Sequence, residues 1–154
     1  MEFRRNAQIN APLDQVWALT EDIPAVAGCI PGVADLDLKG PQEFDCVISQ
    51  RVGSVKSKFN LHTVISDLDA RKSLTLVSSG QDRSLGSNVK ANLKFGLSEK
   101  GEATEVDIVA DFQVTGRIAT FGHRIIAAKA EQVVMEALRN VDQLLAERRG
   151  SAGA

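Results

Sequence analysis

The sequence predicts an α+β fold, in which an antiparallel sheet of about seven strands is covered by one long C-terminal helix, with two short helices after the first strand. Three observations predict it. Between Phe44 and Val114 apolar residues recur at every second position, the period of a sheet with one solvated face. After Gly116 the period lengthens to three or four and stays so for about thirty residues, the mark of an amphipathic helix. Between the first extended segment and the sheet, Pro12, Pro24 and Pro31 punctuate two short helical pieces.

In chain order, residues 3–10 form a short extended segment that ends at Ala11-Pro12. In PLDQVWALT, Pro12 stands at the helix entry, and Leu13, Val16 and Trp17 share one face. Asp22-Ile23-Pro24 starts the second short helix, which runs through AVAGC. Pro31 stops it by disfavouring a helical Ile30, and Gly32 supplies a turn into the alternation VADLDL. Phe44, Cys46 and Ile48 then share one strand face. Val55, Ser57, Phe59, Leu61, Thr63 and Ile65 share the next, with Lys56, Lys58, Asn60 and His62 opposite. Leu74, Leu76 and Ser78 follow. The clearest run is Leu85, Ser87, Val89, Ala91, Leu93, Phe95 and Leu97, against Asn88, Lys90, Asn92 and Lys94. Val106, Ile108, Ala110, Phe112 and Val114 alternate with Glu105, Asp107, Asp111 and Gln113. The polar pieces at 69–73 and 99–103 read as hairpin connections.

On the last helix, Ile118, Phe121, Ile125, Ala130, Val133, Ala137, Val141, Leu144 and Leu145 form one apolar stripe, while Arg124, Glu131, Glu136, Arg139, Asp142 and Glu147 keep another side wet. An oily stripe and an oily sheet face must cover each other. The expected organisation is one domain over residues 1–147, followed by a disordered tail at 148–154.

Composition narrows the function. With 154 residues, 44% hydrophobic and 25% charged, the chain is an ordinary globular protein. A net charge of −2, with 5% aromatic residues and no tyrosine, argues against a nucleic-acid partner. The opening MEFRRNAQINAPLD lacks the apolar core of a secretory signal, and no apolar run approaches the length of a bilayer span. Cys29 and Cys46 make neither a disulfide framework nor a metal-ligand pattern, so a reducing cytoplasm is the expected setting.

The inward positions of the sheet mix small or hydroxyl residues (Ser57, Thr63, Ser78, Ser87, Ala91, Ala110) with Phe59, Leu61, Phe95 and Phe112. That mixture suits an apolar ligand cavity with a few polar handles. It equally suits close approach of the helix at native density, and parity alone leaves both open. Catalytic groups are harder to find. Cys29 as a nucleophile needs a base, and His62 falls on the outward face, so a packed thiol is the favoured reading. His62 and His123 are the only imidazoles and belong to no zinc cluster, so no metal is expected. His123, early on the long helix, reads as solvated or as a donor to a ligand carbonyl. Glu105, Asp107 and Asp111 point outward, leaving Glu21, Asp22 and Asp82 as the loop acids with access to a cavity mouth. Lys56, Lys58, Lys90 and Lys94 read as a solvated, aggregation-resistant face or a stripe for an acidic partner or anionic lipid.

Four stretches, INAPLDQVWALTED (9–22), AGCIPGV (27–33), RVGSVKSKFN (51–60) and VTGRIATFGHRIIAAKAEQ (114–132), resemble the carbon monoxide dehydrogenase G-subunit family within the polyketide cyclase and START-like superfamily. The resemblance implies a helix-grip fold, a curved antiparallel sheet wrapped around the long helix, and tips the inward-face question toward a cavity. It also implies a non-catalytic accessory protein that binds a quinone or other lipophile, without a tightly held cofactor, and links a molybdenum hydroxylase of carbon monoxide dehydrogenase type to the cytoplasmic membrane. Membrane-anchoring members carry an apolar or basic extension, whereas this sequence stops at ERRGSAGA, which shifts the expectation from anchor to carrier. The superfamily's cyclases and hydrolases, and a packed assembly module, are the alternatives. The ligand wall expected on this resemblance is Ile30, Phe59, Leu61, Leu76, Ala91, Phe95, Phe112, Phe121, Ile125 and Ile126. The expected entrance sets Cys29, Pro31 and Gly32 as one lip against Gly116, Gly122 and His123 as the other.

Overall fold

A computed structural model describes residues 1–150 with their side chains and continues the helical backbone to Gly153. Seven antiparallel strands, β1 (Glu2–Ile9), β2 (Val33–Gly40), β3 (Glu43–Val52), β4 (Val55–Asp69), β5 (Ser73–Asp82), β6 (Ser87–Lys100) and β7 (Ala103–Thr115), form one sheet in the order β1-β7-β6-β5-β4-β3-β2. Six of them follow one another as simple hairpins. The first strand closes the order by pairing with the last, Phe3 opposite Ala110 and Ile9 opposite Thr104.

Two short helices, α1 (Leu13–Thr20) and α2 (Ile23–Cys29), fill the link between β1 and β2. Pro12 precedes the first turn of α1, where its missing N–H costs nothing. Asp22 caps α2 by accepting from the Ala25 N–H at 3.3 Å. Leu13, Val16 and Leu19 of α1 and Ile23, Ala27 and Cys29 of α2 are buried, as their spacing demands.

The long helix differs from its expected start. A 3-10 turn, η1 (Arg117–Phe121), comes first, and α3 (His123–Gly153) begins only after it. Gly116 and Gly122 bracket this turn at φ 83 and φ 89, conformations that interrupt a helix and that side chains with a Cβ resist. A Cβ at Gly116 would also collide with the Gly86 carbonyl. Buried Ser87 then holds η1 in place, its hydroxyl accepting from the Ile118 N–H at 3.0 Å.

At the other end α3 continues past residue 147. Arg148, the first residue of the expected tail, reaches Asp22 at 3.4 Å, and the end of that tail lies outside the described residues. Further along, α3 is tied to β1 by the two-pronged pair of Arg5 with Glu131 (2.6 and 2.7 Å) and by Asp142 accepting from the Asn10 N–H at 2.8 Å.

Buried apolar residues gather in three groups rather than one. Phe3, Val52, Phe59, Phe112, Ile118 and Ile126 pack where η1 meets the sheet, with the Phe3 and Phe112 rings edge to face at 6.2 Å. Ile9, Val16, Leu19, Val106, Ile108 and Leu145 pack under α1 and the far part of α3. Ile23, Phe44, Cys46, Ile65 and Leu74 form the third, below α2. Half-buried Leu61, Phe95 and Val134 bridge them, and all three groups border one internal space.

Candidate functional site

The space is a cavity of about 380 Å³ between the concave sheet face and α3, within the range of small-molecule sites. It follows from the small residues that face each other across it. The central strands contribute Ser57, Thr63, Ser78 and Ala91, while α3 contributes Ala130, Val133 and Ala137. Neither wall reaches the other, so the helix is fully buried only near its ends, at Ile126 and Leu145. Between them Ala130, Val133, Val134, Ala137, Leu138 and Val141 stay half-buried. Opposite, Leu61, Leu76, Ser78, Ala91, Leu93 and Phe95 are half-buried too, whereas Val106, Ile108, Ala110 and Phe112 of β7 are fully packed.

The cavity wall is apolar with few polar members. Thr20, Gln50, Ser57, Thr63, Ser78 and Lys129 are its polar side chains, and no aspartate, glutamate or histidine joins them among the described residues. Most of these groups are already engaged. Ser57 donates to the Gln50 carbonyl at 2.8 Å, Thr20 to the Trp17 carbonyl at 2.6 Å, and Gln50 to the Pro31 carbonyl at 2.6 Å. Thr63 and Ser78 bond each other at 2.8 Å, which uses one hydroxyl hydrogen and leaves the second to donate into the cavity. Among the described residues Lys129 has no carboxylate within ion-pairing distance.

The two thiols, Cys29 and Cys46, line the cavity and are buried. Burial raises both pKa values, partly offset at Cys29 by Arg148 and reinforced at Cys46 by Asp45, so both remain protonated thiols at neutral pH. Outside the cavity, His62 lies on the outer sheet face between Asp45 (2.6 Å) and Glu43 (3.1 Å). Asp82 is buried but spent on its own turn, accepting from the Lys58 and Leu85 N–H groups and the Ser84 hydroxyl. Those backbone and hydroxyl donors hold its pKa below the usual carboxylate value. Asp22 is committed to the α2 cap, and Glu21 is exposed. No group of three potential metal ligands occurs among the described residues.

Eight of the ten expected wall residues line the cavity: Ile30, Phe59, Leu61, Leu76, Ala91, Phe95, Phe112 and Ile126. Phe121 and Ile125 do not. Phe121 lies in η1 with its ring against Gly53 of the β3–β4 turn. Ile125 is 46% exposed, because Gly122 resets the helix so that Ile126 takes the inward position and Ile125 the outward one.

Of the six residues expected at the entrance, Cys29, Pro31, Gly32, Gly116, Gly122 and His123, only Cys29 lines the cavity. Its carbonyl accepts from Asn140 at 2.8 Å, far along α3 from His123, which is exposed. Gly32 packs on the Ser49 carbonyl and Gly116 on the Gly86 carbonyl, so both are close backbone crossings. Sequence reasoning missed Gln50, Lys129, Ala130 and Val133 as wall members. The stripe on α3 contained Ala130 and Val133, and their small size was the available signal.

Comparison with known proteins gives three findings. A family model described as the G subunit of carbon monoxide dehydrogenase (CoxG) matches residues 6–146. Among solved structures, a conserved protein from Geobacillus kaustophilus is 18% identical, with 96% of each chain covered and a TM-score of 0.88. The Zhui aromatase/cyclase from Streptomyces sp. R1128 is 15% identical, covering 100% of this chain and 98% of its own, at 0.72. A START superfamily protein from Mycobacterium smegmatis is 10% identical, covering 95% and 97%, at 0.70. These likenesses establish the START-like fold. No curated protein gives a significant match. No helix of the described residues is long and apolar enough to cross a membrane.

Proposed function

The chain belongs to the carbon monoxide dehydrogenase G-subunit (CoxG) family, and on that premise we propose that it is a non-catalytic carrier of a hydrophobic, quinone-like molecule. It serves a molybdenum hydroxylase of the carbon monoxide dehydrogenase type at the inner face of the cell membrane. The observation that supports this reading is the cavity, an apolar space of ligand size walled without an acid or an imidazole among the described residues. Acid–base chemistry most often draws on such a group within hydrogen-bond reach of its substrate, the two wall thiols are protonated, and Lys129 is the one other titratable side chain of the wall among the described residues. Binding an apolar ring and tail needs no such group. The spare hydroxyl hydrogen of the Thr63–Ser78 pair suits one ring carbonyl, and Phe59, Phe95 and Phe112 suit the ring and tail.

The test is organic extraction and mass spectrometry of the purified protein, with an unrelated protein from the same host as control. A quinone or other isoprenoid near one per chain is the expected result. A blank that persists after incubation with a short-chain quinone overturns the proposal and leaves a packed assembly role.

A further inference from the structure

One charged side chain, Lys129, lines the apolar cavity, and it has no anionic neighbour among the described residues. On α3 the residues one turn away, Ile125, Ile126, Gln132 and Val133, carry no negative charge. The end of the fold where η1 meets the sheet, about two helical turns before Lys129, is rich in cations. Arg51 and Lys56 stand opposite each other at the β3–β4 turn, which touches Phe121. Arg83 lies in the β5–β6 turn beside Gly86, which touches Gly116. Arg117 is in η1 and Arg124 in the first turn of α3. All five are exposed, and none forms an ion pair among the described residues. Three carboxylates of this part of the molecule are engaged elsewhere, Asp82 within its turn, Glu131 on Arg5 and Glu2 on Arg4.

A lysine whose four-carbon stem lies along an oily wall keeps its ammonium toward water, so the positive charge belongs at the cavity's wet margin. An apolar interior with cationic surroundings and no anion is complementary to a molecule with an apolar body and a negatively charged end. We infer that the cavity also takes single-chain lipophiles with an anionic head, a carboxylate or a phosphate monoester, and holds them more tightly than neutral counterparts of equal length, with Lys129 as the head-group contact. This inference rests on the carrier reading and adds a ligand class to it.

The experiment is displacement of a neutral fluorescent probe, N-phenyl-1-naphthylamine, by dodecanol, dodecanoate and dodecyl phosphate at pH 8, where a carboxylate is ionised. Dodecanoate and dodecyl phosphate bind about three- to tenfold more tightly than dodecanol, the scale of one partly solvated charge pair. Raising the salt narrows the gap. Lys129→Gln brings dodecanoate down to the level of dodecanol, Lys129→Arg preserves the preference, and Lys94→Gln on the outer sheet face leaves it unchanged. Equal affinity for dodecanol and dodecanoate in the unmodified protein, or a gap that survives Lys129→Gln, overturns this inference while the carrier reading stands. Failure of all three, and of the probe itself, overturns both.

Discussion

Asp82 illustrates how little of this protein's polar chemistry is directed at the cavity. It is 3% exposed, and its carboxylate organises the β5–β6 turn and reaches across to β4 through the Lys58 N–H at 2.8 Å. Asp82→Ala strands two N–H groups and a hydroxyl, and should cost about 1–3 kcal/mol in denaturant unfolding without altering ligand binding. Because the folded pKa is depressed, the stabilisation is present above the unfolded value of about 4 and fades as pH falls through it toward the folded value. Acid titration of the variant should therefore be flatter than that of the parent below about pH 5. Ala91 is the opposite case, a small residue whose value is the room it leaves. Ala91→Trp should occupy the cavity and abolish lipophile uptake while circular dichroism stays native, and a variant that still binds would place the site elsewhere. Parity alone identified Ala91, Leu61 and Phe95 as inward. It could not identify Lys129, because a charged side chain on a helix carries no parity signal.

Strands were the most legible elements, since a one-residue error in parity would expose an entire apolar face. The helix was legible over most of its length but not at its start. The apolar stripe runs unbroken through Ile118, Phe121 and Ile125, so periodicity gives no reason to stop. The interruption is a backbone event at Gly116 and Gly122, and its consequence is the outward rotation of Ile125. The stripe likewise hides that its members support unequal loads. Ile126→Ala removes a buried anchor and should cost about 2–4 kcal/mol. Val133→Ala faces the cavity, where little surrounds the lost methyls, and should cost under about 1 kcal/mol. Equal losses in chemical denaturation would mean that the middle of α3 is packed after all.

For the whole molecule, the net charge of −2 conceals a division. Cations collect where the β3–β4 and β5–β6 turns meet η1. The opposite turns carry Asp67, Asp69, Glu99 and Glu102 beside Arg71, Lys72 and Lys100, with α1 joined to them through Arg71, which pairs with Asp14 at 2.8 Å and Glu99 at 3.3 Å. The protein should therefore bind a cation exchanger at pH 7 and low ionic strength despite its acidic pI of about 5.7, eluting near 0.1–0.2 M salt. Reversing Arg117 and Arg124 to glutamate should send it through the column, and flow-through of the unmodified protein would contradict the division. Net charge alone gave no hint of this, because separating the two ends requires the strand register. The support of α3 has a mechanical meaning as well. Between Ile126 and Leu145 the helix is a beam of about 28 Å, at 1.5 Å per residue, pinned along its length by Glu131 to Arg5, Asn140 to the Cys29 carbonyl and Asp142 to the Asn10 N–H. Struts of this kind hold a roof up from its rim, so the room beneath it does not depend on anything filling the middle.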